Sequence, residues 1–303
     1  MSLFYRLAFR FVFFFTKLSD DRKHKTNRER KDVHVRRISL SNKQKMNVLS
    51  DHRNLDKKEP LLFDIHGGGW LYGDENLNLD FGKWYAQRGF KVALPSYSLV
   101  YDNNIKTIVH ELYEALAFLK ENAEELALDL SKAVIVGDSA GAGLALLLLS
   151  ISQSEELQKI YGVGKLPIEF SGCALYHPCC YPKKLIFVKW PKLFDRGARR
   201  AFLRMYCGKE EYERLLSVAD FSDYADKVSR LCPMLVMTSL GDQFLKYQTD
   251  RLVKDLDEHH LSYAYLCIPD RKFGHVASVT QIDEDHCQKA NEQVLAFLRS
   301  TID

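Results

Sequence analysis

After about residue 34, short apolar runs alternate with longer stretches in which apolar residues return every three or four positions. Val35 to Leu40 and Lys45 to Leu49 read as an opening pair of strands. Leu61 to Ile65, Phe90 to Leu94, Ala133 to Val136, Glu169 to Leu175, Met234 to Ser239 and Tyr263 to Ile268 are short apolar runs, the pattern of strands buried on both faces of a parallel sheet. Between them Ile105, Val109, Leu112, Leu116 and Leu119 share a helical face, as do Leu252, Val253 and Leu256, and later Val294, Leu295 and Leu298. Strands alternating with helices predict an α/β domain of about eight mostly parallel strands flanked by crossover helices. The interval from about 180 to 231 breaks the alternation. It holds short helical pieces around Ala198 to Tyr206, Lys209 to Leu216 and Tyr224 to Ser229 and no convincing strand, the pattern of a small inserted helical cap.

Open parallel sheets place ligands at the carboxyl ends of their strands, and two glycine-rich runs fall there. Gly137-Asp138-Ser139-Ala140-Gly141 lies between the strand Ala133 to Val136 and the helical run Leu144 to Ile151. A G-x-S-x-G at a strand-to-helix turn lifts a serine hydroxyl clear of the backbone, and glycines two before and two after let the turn close. The helix beginning at Ala140 aims its free amides and dipole at charge developing beside that serine. The pattern alone would arise in roughly one chain in ten at average usage, so its setting carries the weight. His66-Gly67-Gly68-Gly69-Trp70 follows the strand Leu61 to Ile65. The amides of Gly67 and Gly68, with that of Ala140, are candidate donors to an oxyanion, and His66 is read as a brace for the loop. Neither run has the Walker ending or the G-x-G-x-x-G spacing of a phosphate loop.

A serine nucleophile needs a base, and the base needs an acid, in the chain order Ser, Asp, His for such a sheet. His275 lies after the strand Tyr263 to Ile268 and before the last helix, on the same edge as Ser139. His177 also follows a strand but comes before any suitable acid, while His259, His260 and His286 fall on helices. Asp242, after the strand Met234 to Ser239, has the required place; an aspartate there also suits a helix cap, and Asp270 is the reserve.

With Ser139, Asp242, His275 and the Gly67-Gly68 loop in place, the chain resembles the hormone-sensitive-lipase family of α/β-hydrolases, which includes bacterial acetyl esterases and arylacetamide deacetylases. The resemblance covers nearly everything after Val35. It implies an α/β-hydrolase fold and a serine carboxylesterase that needs no metal or cofactor and hydrolyses neutral, short-chain acyl esters. Ser139 would attack, His275 relay the proton, Asp242 orient it, and the Gly67, Gly68 and Ala140 amides hold the oxyanion. An amidase, formamidase or peptidase on the same triad is the alternative, and a non-catalytic small-ligand receptor on the same fold is a further one. The chain departs from the family at Tyr97-Ser98-Leu99-Val100-Tyr101, where Tyr-Arg-Leu-Ala-Pro is usual, and at Ala142, where a glycine is usual. Trp70, Tyr97, His177 and Trp190 are candidates for pocket walls or for core.

Composition changes this picture only at the N-terminus. The 303 residues are 46% hydrophobic and 27% charged, ordinary globular usage for one catalytic domain. The net charge of +3 conceals +7 in residues 1–37 and −4 in the remainder, so the basic character belongs to an extension over residues 1–34. No basic patch with stacking aromatics marks the domain, which argues against a nucleic-acid partner. Leu3 to Phe15 is rich in Phe and Leu but interrupted by Arg6 and Arg10, too short for a membrane span and without a signal cleavage site. A helix on a membrane surface and a helix packed on the domain both fit it. Seven cysteines, an odd number without C-x-x-C spacing, read as free thiols in a reducing, cytoplasmic setting.

Overall fold

Eight strands, β1 (Val33–Ser39), β2 (Lys45–Asp51), β3 (Glu59–Ile65), β4 (Lys91–Pro95), β5 (Leu128–Asp138), β6 (Gly172–Tyr176), β7 (Met234–Ser239) and β8 (Ala264–Ile268), form one sheet in the computed structural model, which describes residues 7–11, 18, 22–23, 27–40, 44–186 and 192–303. Their order is β1-β2-β4-β3-β5-β6-β7-β8. β1 and β2 pair antiparallel, as do β2 and β4, and every other pairing is parallel. This is the α/β-hydrolase fold.

Inside the sheet the strands are buried on both faces with a period of two, whereas the edge strands β1 and β8 are partly exposed. Leu61, Phe63 and Ile65 of β3 and Ala133 and Ile135 of β5 face one core, while Leu62, Val134 and Val136 face the other. Helices α1 (Leu79–Ala86), α2 (Ile105–Glu121), α3 (Ala140–Gln153), α4 (Glu155–Tyr161), α5 (Lys192–Tyr206), α6 (Tyr212–Leu216), α7 (Lys246–Glu258), α8 (Ala277–Thr280) and α9 (Asp285–Ile302) lie around it. Ile105, Leu112 and Leu119 of α2, Leu144 of α3 and Leu252 and Leu256 of α7 fill the first core; Phe81 and Trp84 of α1 and Val294, Leu295 and Leu298 of α9 fill the second. α3 is buried from Ala140 to Ile151, which explains a helix with almost no polar face. Its N-terminus is thereby fixed at the sheet's carboxyl edge.

Most strand ends differ from the sequence expectation by one or two residues, and two strands differ by more. β5 begins at Leu128 because residues 128–129 pair with Glu59 and Pro60 of β3, although Asp129 and Ser131 interrupt the apolar run there. β6 begins only at Gly172, since Phe170 is buried beside Phe63, with ring centroids 6.4 Å apart, rather than within the ladder.

Between residues 180 and 231 the described residues hold α5, α6 and 3-10 turns at Pro182–Lys184, Phe221–Asp223 and Ala225–Lys227. Of these only Ala225–Lys227 stands where a helical piece from Tyr224 to Ser229 is expected, and the turn before it is opened by a capping box in which Asp220 and Asp223 bond reciprocally to each other's backbone. Phe202 and Tyr206 of α5 pack on Trp70 with centroids 5.9 and 5.2 Å apart. Trp190 lies outside the described residues.

Residues 7–11 are helical. Phe9 is buried in the first core and the Arg10 guanidinium lies 5.2 Å from the Tyr101 ring centre, so this part of the extension packs on the domain, while Leu7 and Phe11 are 56% and 65% exposed. The other residues of Leu3 to Phe15 lie outside those described. Arg30, almost fully buried, meets Asp283 at 2.7 Å, and Asn27 donates to Asp80 and to the Thr280 carbonyl. Among the described residues no helix is long and apolar enough to cross a membrane. All seven cysteines are free thiols.

Candidate active site

β5 ends at Asp138 and α3 begins at Ala140, leaving Ser139 alone in the turn with φ 52° and ψ −116°, a conformation L-residues avoid. The turn closes because Gly137 and Gly141 lack side chains. A Cβ on Gly137 would lie 2.5 Å from the Gly141 carbonyl carbon, and one on Gly141 would collide with the carbonyl oxygens of Ile65 and His66. The Ser139 amide donates to Tyr176 O at 2.8 Å, and Ser139 O accepts from the Cys179 amide at 2.9 Å. The strained turn is therefore anchored to β6 and to the loop that follows it.

His275 stands in the loop between β8 and α8. Its Nδ1 is 3.0 Å from Asp242 Oδ2 and its Nε2 is 3.1 Å from Ser139 Oγ. A carboxylate can only accept, so Nδ1 carries the proton and Nε2 is left to accept from the serine hydroxyl. Asp242 makes contacts of both kinds that the sequence allowed. Oδ1 accepts from the Phe244 and Leu245 amides at 2.9 and 2.8 Å, capping the turn into α7, while Oδ2 faces the imidazoles. Burial opposes its ionisation, but hydrogen bonds from His177 and His275 outweigh that and hold the carboxyl below the usual carboxylate range. Ser239 Oγ donates to Phe273 O at 2.6 Å, fastening the acid-bearing loop to the histidine-bearing one. Asp270 instead accepts from the Lys272 amide at 2.7 Å in its own turn.

The loop after β3 runs through positive φ at Gly68, Gly69 and Trp70. Tyr97 Oη lies 2.9 Å from His66 O and 2.8 Å from Gly67 O, and its ring stacks on the His66 imidazole with centroids 4.2 Å apart. His66 Nδ1 donates to Gly67 O at 3.1 Å, and burial pushes the imidazole down to about 4, so it is neutral near neutral pH. Among the described residues no backbone carbonyl accepts the Gly67, Gly68 or Ala140 amide outside regular elements. Below the elbow, Asn78 Nδ2 bonds Asp138 Oδ1 at 2.8 Å and Asp64 Oδ2 at 3.0 Å. Burial first, then the neighbouring Asp138 charge, push the Asp64 carboxyl well above its usual range.

Trp70 and Tyr97 are buried in core. His177 has a place the sequence did not suggest: its Nδ1 lies 2.8 Å from Asp242 Oδ2. Chain order set it aside as a base, and order along the chain does not report which groups gather on an acid. Its one legible signal was its position just past β6. His177, Asp242 and His275 offer ligand-type atoms within 4.8 Å of one another, but those atoms are already joined by hydrogen bonds.

A family model described as the alpha/beta hydrolase fold matches residues 62–274, from β3 to the glycine before His275. The chain belongs to that family. This α/β-hydrolase is 28% identical over 104 residues to an esterase of Gibberella moniliformis and 32% identical over 106 residues to Lipase 2 of Moraxella sp. strain TA144. Those stretches are 34% and 35% of the hydrolase and only 33% and 24% of the relatives' own length. Among solved structures it is similar to Esterase B from Lactobacillus rhamnosis HN001, with TM-score 0.89 at 24% identity, covering 98% of this chain and 95% of that one. It is also similar to a bacterial heroin esterase, with TM-score 0.69 at 21% identity, covering 90% and 86%.

Proposed function

We propose that the hydrolase is a serine carboxylesterase acting on neutral esters with short acyl chains, with Ser139, His275 and Asp242 as its triad. The observation that carries this reading is the unbroken line from Ser139 Oγ to His275 Nε2 at 3.1 Å and from His275 Nδ1 to Asp242 Oδ2 at 3.0 Å. Ser139 Oγ attacks the ester carbonyl carbon as its proton passes to His275 Nε2. The resulting imidazolium is steadied by the Asp242 carboxylate. The tetrahedral oxyanion lies on the amides of Gly67, Gly68 and Ala140, which the positive-φ loop and the start of α3 supply. The alkoxide leaves with the proton from His275, and water repeats the cycle on acyl-Ser139. Esterase B, which shares the fold, has been solved inhibited by a C4-C4 SN3 tributyrin phosphonate, which supports the choice of short acyl chains. The segment from about 180 to 231 is read as the cap over this edge, since α5 packs on Trp70 of the oxyanion loop. Exposed Leu7 and Phe11 beside the basic residues of the extension suit peripheral contact with an anionic lipid surface, which cosedimentation with anionic vesicles, with and without residues 1–20, measures.

The test is hydrolysis of p-nitrophenyl esters of increasing chain length, beside matched anilides, by the wild type and Ser139→Ala. Highest kcat/KM on short esters, slow anilide turnover and a loss of about 10⁴-fold or more in the variant are expected. Near wild-type rates in Ser139→Ala would refute the assignment.

A further inference from the structure

His177 is fully buried and its backbone has φ 48°, unusual for a residue other than glycine. It is set by its own amide, which donates to Met237 O of β7 at 2.8 Å. The ring lies nearly parallel to Phe273 with centroids 6.2 Å apart and edge-on to His275 with centroids 5.4 Å apart. Nδ1 is 2.8 Å from Asp242 Oδ2, shorter than the 3.0 Å bond from His275 to the same oxygen. Nε2 is buried without a hydrogen-bond partner. Strain and a bare buried nitrogen are unfavourable features kept where another demand fixes the side chain.

We propose that His177 is a positioning residue that shares Asp242 Oδ2 with His275 and holds that oxygen where it receives the His275 Nδ1–H. The inference rests on the triad reading above. Asp242 then receives four donors, two amides on Oδ1 and two imidazole N–H groups on Oδ2, and has no rotational freedom. His177 does not serve as a second base, because the nitrogen facing the carboxylate is the protonated one and the other, which could only accept a proton, is buried and meets no donor among the described residues. The ionisable groups facing it are Asp242 from the loop after β7 and His275 from the loop after β8; Cys179, two residues on, is a buried thiol pushed well above its usual range. Burial holds the His177 imidazole below its ordinary value and hence neutral, despite the carboxylate beside it.

Sharing Oδ2 has a consequence beyond geometry. A carboxylate oxygen that also serves His177 attracts the protonated His275 less than one that serves His275 alone. Losing the His177 donor therefore favours protonated His275 and moves the acid limb of kcat/KM to higher pH.

Two variants separate this from packing. His177→Phe keeps a ring against Phe273 and removes the donor; His177→Asn keeps an N–H near the Nδ1 position, and asparagine tolerates the left-handed backbone. On p-nitrophenyl butyrate, His177→Phe is expected to lose about 10- to 100-fold in kcat with KM within about threefold, as misplaced catalytic groups do. Its acid limb is expected to rise by about half a pH unit or more, and His177→Asn to restore both. A folded His177→Phe with wild-type kcat and an unmoved limb overturns the proposal, as does a His177→Asn as impaired as His177→Phe. If His177→Phe does not fold, proton NMR of the wild type decides: two downfield imidazole N–H resonances, one absent in His177→Asn, support the shared oxygen, and a single one overturns it. A wild type without esterase activity would instead sink the triad reading itself.

Discussion

The carbonyl oxygen of Ile65, the last residue of β3, lies where a side chain on Gly141 would have to begin. That contact presses the start of the oxyanion loop against the first turn of α3, so the two elements proposed to supply oxyanion donors have one fixed spacing. Both partners are backbone, and neither can yield by changing rotamer. Gly141→Ala is expected to cost about 3 kcal/mol or to leave no soluble protein. Urea unfolding of the variant checks it, and an unchanged midpoint would show that the two elements can part freely.

Tyr97→Phe tests the brace on the other side of the loop. The variant keeps the stack on His66 and loses the hydroxyl that bonds the His66 and Gly67 carbonyls. Loosened amides matter most when the oxyanion forms, so kcat is expected to fall about tenfold with KM within about twofold. Steady-state kinetics on a short p-nitrophenyl ester reads both constants. A rise in KM alone would place Tyr97 in substrate binding instead.

Asp64 gives a pH dependence with a definite sign. Its carboxyl stays protonated in the folded chain at pH values where the unfolded chain has released that proton, above the ordinary value of 3.8. The native state then binds more protons than the unfolded state, and stability falls as pH rises from that value toward the raised folded one. Asp64→Asn is neutral at every pH and keeps an acceptor for Asn78. Its melting temperature is expected to exceed the wild type's by a margin that widens as pH rises above 3.8 and levels off once the folded wild type has also released the proton. Parallel curves would mean that Asp64 ionises normally.

Phe9 carries the packing of the N-terminal helix. Buried in the same core as Tyr101, it is expected to cost about 3 kcal/mol on substitution by alanine, whereas Leu7→Ala, at an exposed position, should be nearly neutral. Denaturant unfolding of the two variants measures the difference directly.

Much of this was legible in the chain because strand burial and turn chemistry are local. The apolar runs located every strand of the sheet, most plainly at its centre, where parallel strands covered on both faces leave no polar alternation to confuse them. Ser139, Asp242 and His275 are singled out by strand ends and chain order, and the structure brings all three within hydrogen-bond reach. The polar start of β5 was hidden because its ladder is made by backbone groups, which side-chain patterns do not record. The place of His177 was hidden for another reason. Its bond to Asp242 spans 65 residues and depends on β6 and β7 lying side by side in register.

The most direct measurement is the site of covalent modification by a fluorophosphonate, read by intact mass and peptide mapping. One adduct per chain on Ser139, absent in Ser139→Ala and formed far more slowly in His275→Ala, is the expected result. An esterase-active chain that carries no adduct, or carries it on another residue, would contradict the assignment of Ser139 as the nucleophile.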